Sequence, residues 1–264
     1  MNKAELLKRY AREEKDRVPL AQILDKLTAM ERTGTVTSTV FLSERQRVLT
    51  EQMLAELHSP SHVFFGGYAD AERCVAVFLP EWAEDEPAVY APLAYIRATW
   101  SEKAGARLGH RDFLGALMGA GIRRETVGDI LPGDTSCDMI VLQSVAPYLM
   151  QNFTSAGRVA LSLSEITAKD LQAPERERKL IHDTVASLRL DSVIGAGFGL
   201  SREKASALIR TGHVELNGLV CEKPDRQLSG GETMSARGFG KFRLCAEMHT
   251  TKKGRMGITI EKYV

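Results

Sequence analysis

Residues 199–218 read GLSREKASALIRTGHVELNG, and this stretch decides the architecture of the last third of the chain. Ser201 is placed to cap a helix, since its hydroxyl can accept a backbone N–H of the first turn. At about 100° per residue, Ala205, Leu208 and Ile209 share one helical face, the face that buries. Arg202, Ser206 and Arg210 line the adjacent face at steps of four, putting two guanidiniums on one side of a short helix. A guanidinium near the positive N-terminal end of a helix suits phosphate oxygens. Thr211 and Gly212 end the helix, and HVEL and LVC then flank Asn217-Gly218, a strong two-residue hairpin signal.

Working outward, KPDRQLSGGETMSARGFGKFRL adds a turn at Gly230-Gly231, a strand TMSA, Arg237-Gly238 and a last strand with Lys241 and Arg243. Residues 189–242 resemble the S4 RNA-binding domain, or alpha-L motif. The likeness rests on Arg189-Leu190-Asp191 opening one helix and Ser201-Arg202 opening the next. It also rests on the Ala205/Leu208/Ile209 core, Gly212-x-Val214, Val220 before Lys223-Pro224, and Gly231 ahead of the strand to Arg237-Gly238. The resemblance implies an RNA-backbone surface on the second helix and the loop-strand edge after it. Carried over by position, its contacts are Ser201, Arg202, Lys204, Arg210, Lys223, Arg237 and Lys241. Two positions depart from the pattern: Glu232 stands where Asp is common, and Ala236 replaces a larger apolar residue, which predicts looser packing of that strand.

Upstream, LGHRDFLGALMGAGIRRETVGDIL (108–131) and the tail TKKGRMGITIEKY (251–263) resemble the YlmH family of bacterial and plastid proteins. With length and order matching, the resemblance spans nearly the whole chain and is weakest over residues 1–60. It implies a ribosome-associated RNA-binding protein, tied to the large subunit carrying stalled peptidyl-tRNA in nascent-chain quality control. The expected partners are therefore rRNA, tRNA and the large ribosomal subunit.

The residues around this core read as an α+β protein in three parts. Residues 1–60 are helical by period, with Ser43 and Gln46 forming a capping box ahead of RVLTEQMLAEL. Residues 61–168 mix strands (HVFFGGY, RCVAVFL, AYIRATW, CDMIVLQ, RVALSLSEI) with short helices at 111–118 and APYLMQNF, a compact α+β domain. A polar linker at 169–178 leads to the S4-type domain and basic tail at 179–264.

In the central motif, Arg111, Arg123 and Arg124 flank a glycine-punctuated helix and form a second candidate RNA contact. The competing reading has Gly115, Gly119 and Gly121 serving packing and turns, with the arginines paired to Asp112 and Glu125. Lys252, Lys253 and Arg255 make a basic turn before the last strand and are candidates for phosphate contact. Aromatic residues are 6% of the chain and none sits in a paired stacking pattern, so recognition through backbone and shape is expected.

Charge agrees with this division. The net charge is +1, but residues 176–264 hold 16 Lys and Arg against 10 Asp and Glu, while the remainder holds 19 against 24. A basic end on an acidic body suits a polyanion partner. The four cysteines are scattered, without metal-ligand spacing, so no metal or other cofactor is expected. No run of roughly 18 apolar residues is present and the opening MNKAELLKRYAREEKDR lacks an apolar segment, so a cytoplasmic protein without a membrane span is expected.

Catalytic readings fare poorly. His110-Arg111-Asp112 resembles a kinase catalytic loop, yet Leu117 stands where Asn is needed. GAGFGL at 195–200 fails the dinucleotide fingerprint at Leu200. Asp191 sits in an RLD context like that of pseudouridine synthases, but Leu188 replaces the expected His, and a helix-start role explains Asp191 better. An RNA-modifying enzyme targeted by its S4 domain stays as the alternative to a non-catalytic RNA-binding factor.

Overall fold

The computed structural model describes residues 3–11, 13–57, 62–83, 87–101, 107–173, 178–251 and 254–263. The chain divides into two compact units, residues 1–174 and 175–264. Among the described residues, no helix is long and apolar enough to cross a membrane.

The first unit opens with α1 (Lys3–Tyr10), α2 (Glu14–Thr33), β1 (Thr37–Ser38) and α3 (Glu44–Glu56). The capping box starts α3: Ser43 N donates to Gln46 Oε1 at 2.8 Å, and Gln46 N to Ser43 Oγ at 3.3 Å. Asp16 of α2 is buried, and Arg45 of α3 grips it through Nε at 3.1 Å and Nη2 at 2.7 Å, which fixes the two helices to each other. Arg9 and Tyr10 of α1 both bind Glu56. β2 (His62–Phe65) and β3 (Val75–Phe78) pair antiparallel, and β3 lies centrally in the order β1-β3-β2. Every β3 residue is buried, as a strand covered on both faces must be.

Next come α4 (Pro87–Tyr90), β4 (Leu93–Thr99), α5 (His110–Gly119), β5 (Val127–Pro132), β6 (Ser136–Leu142) and α6 (Ala146–Asn152). They are followed by β7 (Ser155–Ala156), β8 (Val159–Ala160) and β9 (Ser162–Ile166). RVALSLSEI is thus two strands, not one. β8 turns back on β7, whereas β9 joins a four-stranded antiparallel sheet of order β5-β6-β4-β9. One face of that sheet buries Ala94, Ile96, Ala98, Met139 and Val141 against Phe113 and Leu117 of α5 and Leu149 of α6. On the other face, Ile140 and Leu142 meet Phe41, Val75 and Val77. The Phe41 ring lies so close that a Cβ on Gly128 would sit 2.6 Å from it, so β5 needs glycine there.

Two buried carboxylates anchor segments to this sheet. Asp138, 1% exposed, receives Arg97 Nε at 2.6 Å and Arg97 Nη2 at 2.8 Å, and also Gln172 N at 2.7 Å. Arg97 adds a bond to Asp170 O at 2.7 Å, so the pair holds the segment after β9. Asp129 accepts from Tyr68 Oη, Glu72 N and Arg73 N and thereby shapes the loop between β2 and β3. Burial raises the Cys74 thiol to about 12 and pushes the Cys137 thiol up as well. A thiol-alkylating reagent at pH 8 is therefore expected to modify half-exposed Cys221 in the folded protein and to spare Cys74 and Cys137 until denaturant is added; peptide mass mapping checks this.

The second unit comprises β10 (Arg178–Val185), α7 (Leu190–Phe198), α8 (Arg202–Arg210), β11 (Val214–Leu216), β12 (Leu219–Val220) and β13 (Thr233–Ala236). It ends with β14 (Gly240–Leu244), β15 (His249–Thr250) and β16 (Met256–Tyr263). The sheet runs β10-β16-β14-β13-β11-β12, with β15 also on β16. Val193, Ile194, Ala205 and Ile209 from the two helices meet Val214, Met234, Phe242 and Ile260 of the sheet. A Cβ on Gly197 would lie 2.4 Å from the Phe242 ring, which explains a glycine inside α7. Ala236 is 5% exposed, so its strand is covered despite the small side chain.

Candidate nucleic-acid interface

The helix and hairpin form as their local signals dictate. Ser201 caps α8, its Oγ accepting Lys204 N at 3.3 Å. Asn217 and Gly218 both have positive φ, 52° and 71°, as a two-residue hairpin turn of the mirror-image type requires. Asn217 Oδ1 accepts Thr233 N at 2.8 Å, and Glu232 accepts Ser229 N at 2.7 Å, so Glu232 serves the turn before β13.

Asp191 does more than start a helix. It is 2% exposed and receives Arg189 Nε at 3.1 Å, Arg189 Nη2 at 2.8 Å and Arg202 Nε at 3.3 Å. One carboxylate thus faces two guanidiniums, and the cluster keeps a net positive charge beside the N-terminus of α8. Arg202 is held by one nitrogen while its side chain stays 63% exposed, which fixes where the charge is presented. The backbone N–H of Asp191 donates to Pro224 O at 2.9 Å, and Leu190 N to Arg226 O at 2.9 Å. These bonds fasten the loop bearing exposed Lys223 to the start of α7.

Burial alone would push the Asp191 carboxyl up, but the hydrogen bonds and charges of Arg189 and Arg202 outweigh it and lower its pKa. A lowered native pKa stabilises fully above the unfolded value, about 3.9, and the contribution disappears as pH falls through the native value. Asp191→Asn is therefore expected to be less stable than wild type at pH 6, with the gap narrowing below about pH 4. Urea unfolding at pH 6 and pH 3 measures this, and a gap that widens in acid would refute it. Burial beneath two arginines also leaves Asp191 without the access a nucleophile needs.

Of the carried-over residues, Arg202, Lys204 and Arg210 lie on α8 and Ser201 caps it, all exposed. Arg202 and Arg210 stand about 12 Å apart along its axis. Arg237 is exposed in the turn after β13, where its N–H donates to His213 O at 3.2 Å, and Lys241 follows on β14. His213 lies just past the end of α8, so this bond ties the turn to the chain leaving that helix.

The second set is not brought together in the same way. Arg111 is exposed at the start of α5, whereas Arg123 and Arg124 follow its end, past the turn at Gly121. Arg123, 72% exposed, pairs with Glu125 at 3.4 Å. Arg124 is half-buried and donates to Val127 O at 2.6 Å and Gly128 O at 3.2 Å, which makes it a support of β5. A Cβ on Gly115 or Gly119 would meet nothing within 4 Å, so packing among the described residues does not require these glycines, while Gly121 takes a turn with φ of 80°. Arg255 donates to Thr184 Oγ1 at 3.1 Å and to Thr184 O, bracing β10. Lys252 and Lys253 lie outside the described residues.

The aromatic residues form a cluster that no local pattern announces. No pairing is visible in sequence, yet Phe198, Phe239 and Phe242 come together, with ring centroids 5.7 Å apart for Phe198–Phe239 and 4.8 Å for Phe198–Phe242. Phe198 lies about 40 residues before the other two, which hides the cluster from any local pattern.

A capped helix beside a hairpin sheet, over a carboxylate-pinned arginine pair, is the frame of an S4-type domain. A family model for the S4 domain matches residues 188–233, and one described as "Putative RNA-binding domain in YlmH" matches residues 95–170. The chain is 34% identical over 224 residues to the Bacillus subtilis (strain 168) protein named ribosome-associated protein quality control protein P2, covering 85% of this chain and 86% of that one. A solved structure titled cell division protein ylmH from Streptococcus pneumoniae shares the fold, with TM-score 0.52 at 17% identity over 61% of this chain and 96% of that chain. The chain belongs to the YlmH family.

Proposed function

We propose that this protein is a non-catalytic factor that grips rRNA or tRNA on the ribosome through α8 and the β13–β14 turn. The proposed place of action is the large subunit carrying peptidyl-tRNA, in nascent-chain quality control. The observation that carries the reading is Arg202, presented to solvent at the N-terminus of α8 by a carboxylate it shares with Arg189. Preset guanidiniums lose less freedom on meeting a phosphate, so they bind it better than mobile ones. A relative named for ribosome-associated quality control supports the ribosomal setting. The central domain and its Arg111 and Arg123 are proposed as a second, weaker contact.

Sedimentation with separated ribosomal subunits, with and without peptidyl-tRNA, tests the reading. The protein is expected to pellet with the large subunit, and more firmly when peptidyl-tRNA is bound. Pelleting with the small subunit alone would reject the placement. Saturable binding of a methyl donor would favour an RNA-modifying enzyme instead.

A further inference from the structure

The turn joining β13 to β14 exposes four residues in succession, Arg237, Gly238, Phe239 and Gly240. Phe239 N donates to Ala236 O at 3.0 Å, which closes the turn. Gly238 and Gly240 take φ of 85° and 93°, and a Cβ built on either meets nothing within 4 Å. The backbone on both sides of Phe239 is therefore open to close approach.

Phe239 is 38% exposed, the only exposed phenylalanine among the described residues. It is also held. Phe242 is fully buried, Phe198 packs edge-on against it, and Phe239 leans on Phe198 at 5.7 Å and 43°. Lys262 places its ammonium 5.4 Å from the Phe198 ring centroid. A ladder of three rings thus runs from the core to the surface and ends on an aromatic ring with Arg237 and Lys241 two residues away on either side. An apolar ring left in water between cations suits a nucleic-acid base, because bases stack on aromatic side chains while neighbouring cations hold the backbone. An apolar protein partner would gain from the ring but not from the flanking charges.

We infer that Phe239 is a stacking platform for an unpaired base of the bound RNA, with Arg237 and Lys241 on the phosphates beside it. The inference rests on the RNA-binding reading above and adds a base contact to a surface otherwise limited to the backbone.

Fluorescence anisotropy of the full chain with a labelled single-stranded RNA oligonucleotide, beside a fully paired duplex of equal length, tests it. Phe239→Leu keeps an apolar side chain but removes the ring, and is expected to weaken single-strand binding about 5- to 150-fold. Its salt slope should match wild type, because no charge is lost, and its duplex binding should barely change. Phe239→Trp is expected to hold or improve single-strand affinity, an outcome a purely structural role for the ring would not give. Equal single-strand binding by wild type and Phe239→Leu would overturn the inference while leaving the S4 surface in place. If the wild type binds neither RNA at low salt, the RNA-binding reading fails and this inference with it. A Leu variant unchanged on RNA but lost from ribosomes would assign the ring to a protein contact and likewise overturn it.

Discussion

Arg202→Glu/Arg237→Glu is expected to lose ribosome binding by a hundredfold or more at physiological salt. A hydrogen bond to a charged group contributes about 1.5–3 kcal/mol, so two lost contacts amount to about 3–6 kcal/mol before repulsion is counted. Each phosphate contact also releases counterions, and the slope of log affinity against log salt should fall by about 0.7–0.9 per contact, or about 1.4–1.8 in all. The Arg202 component has a structural side, because a glutamate there would face buried Asp191. Arg202→Gln/Arg237→Gln avoids that repulsion and should reduce the slope by the same amount with a smaller loss of affinity. Equal slopes for wild type and both variants would show that α8 and the β13–β14 turn do not meet the phosphates.

The largest effect on stability is expected at Asp138. Its carboxylate takes two bonds from Arg97 and one from Gln172 N, so Asp138→Ala strands a guanidinium that is only 20% exposed and frees the segment after β9. Breaking a buried pair on one side costs about 3 kcal/mol, which for a unit of this size lowers the melting temperature by about 6–12 °C. Arg97→Met/Asp138→Leu removes both charges and should recover most of that loss, because the desolvation cost disappears with them. Thermal unfolding of the three proteins decides the point. A drop in the double variant as large as in Asp138→Ala would mean that the pair matters through shape and not through its uncompensated charge.

The parts of this molecule that could be read from sequence are those built from near neighbours. Ser201 and Lys204, Ser43 and Gln46, and Asn217-Gly218 each place donor and acceptor, or a turn, within a few residues, and each forms as its local chemistry requires. Strand β10 had no such signal. RKLIHDTV alternates weakly, and its pairing partner β16 lies about 80 residues away. The division of RVALSLSEI into β8 and β9 was hidden for the same reason, since β9 answers to β4 and β8 to β7. At the candidate interface, the exposure of Arg202 and Arg210 follows from the helical period, but the supports around them do not. Arg202 meets Asp191 across eleven residues, and Phe239 in the β13–β14 turn meets Phe198 at the end of α7. Arg124 shows the converse: its sequence suggests a surface cation, whereas its guanidinium serves the carbonyls of Val127 and Gly128.

The central claim is that α8 and the β13–β14 turn are where this protein meets RNA. Ultraviolet cross-linking of the full chain to large ribosomal subunits, followed by mass spectrometry of the RNA-bearing peptides, tests it most directly. Cross-links are expected within residues 199–213 and 237–243, with Phe239 among the modified positions. Cross-links confined to residues 1–174 would contradict the account and move the interface to the central domain.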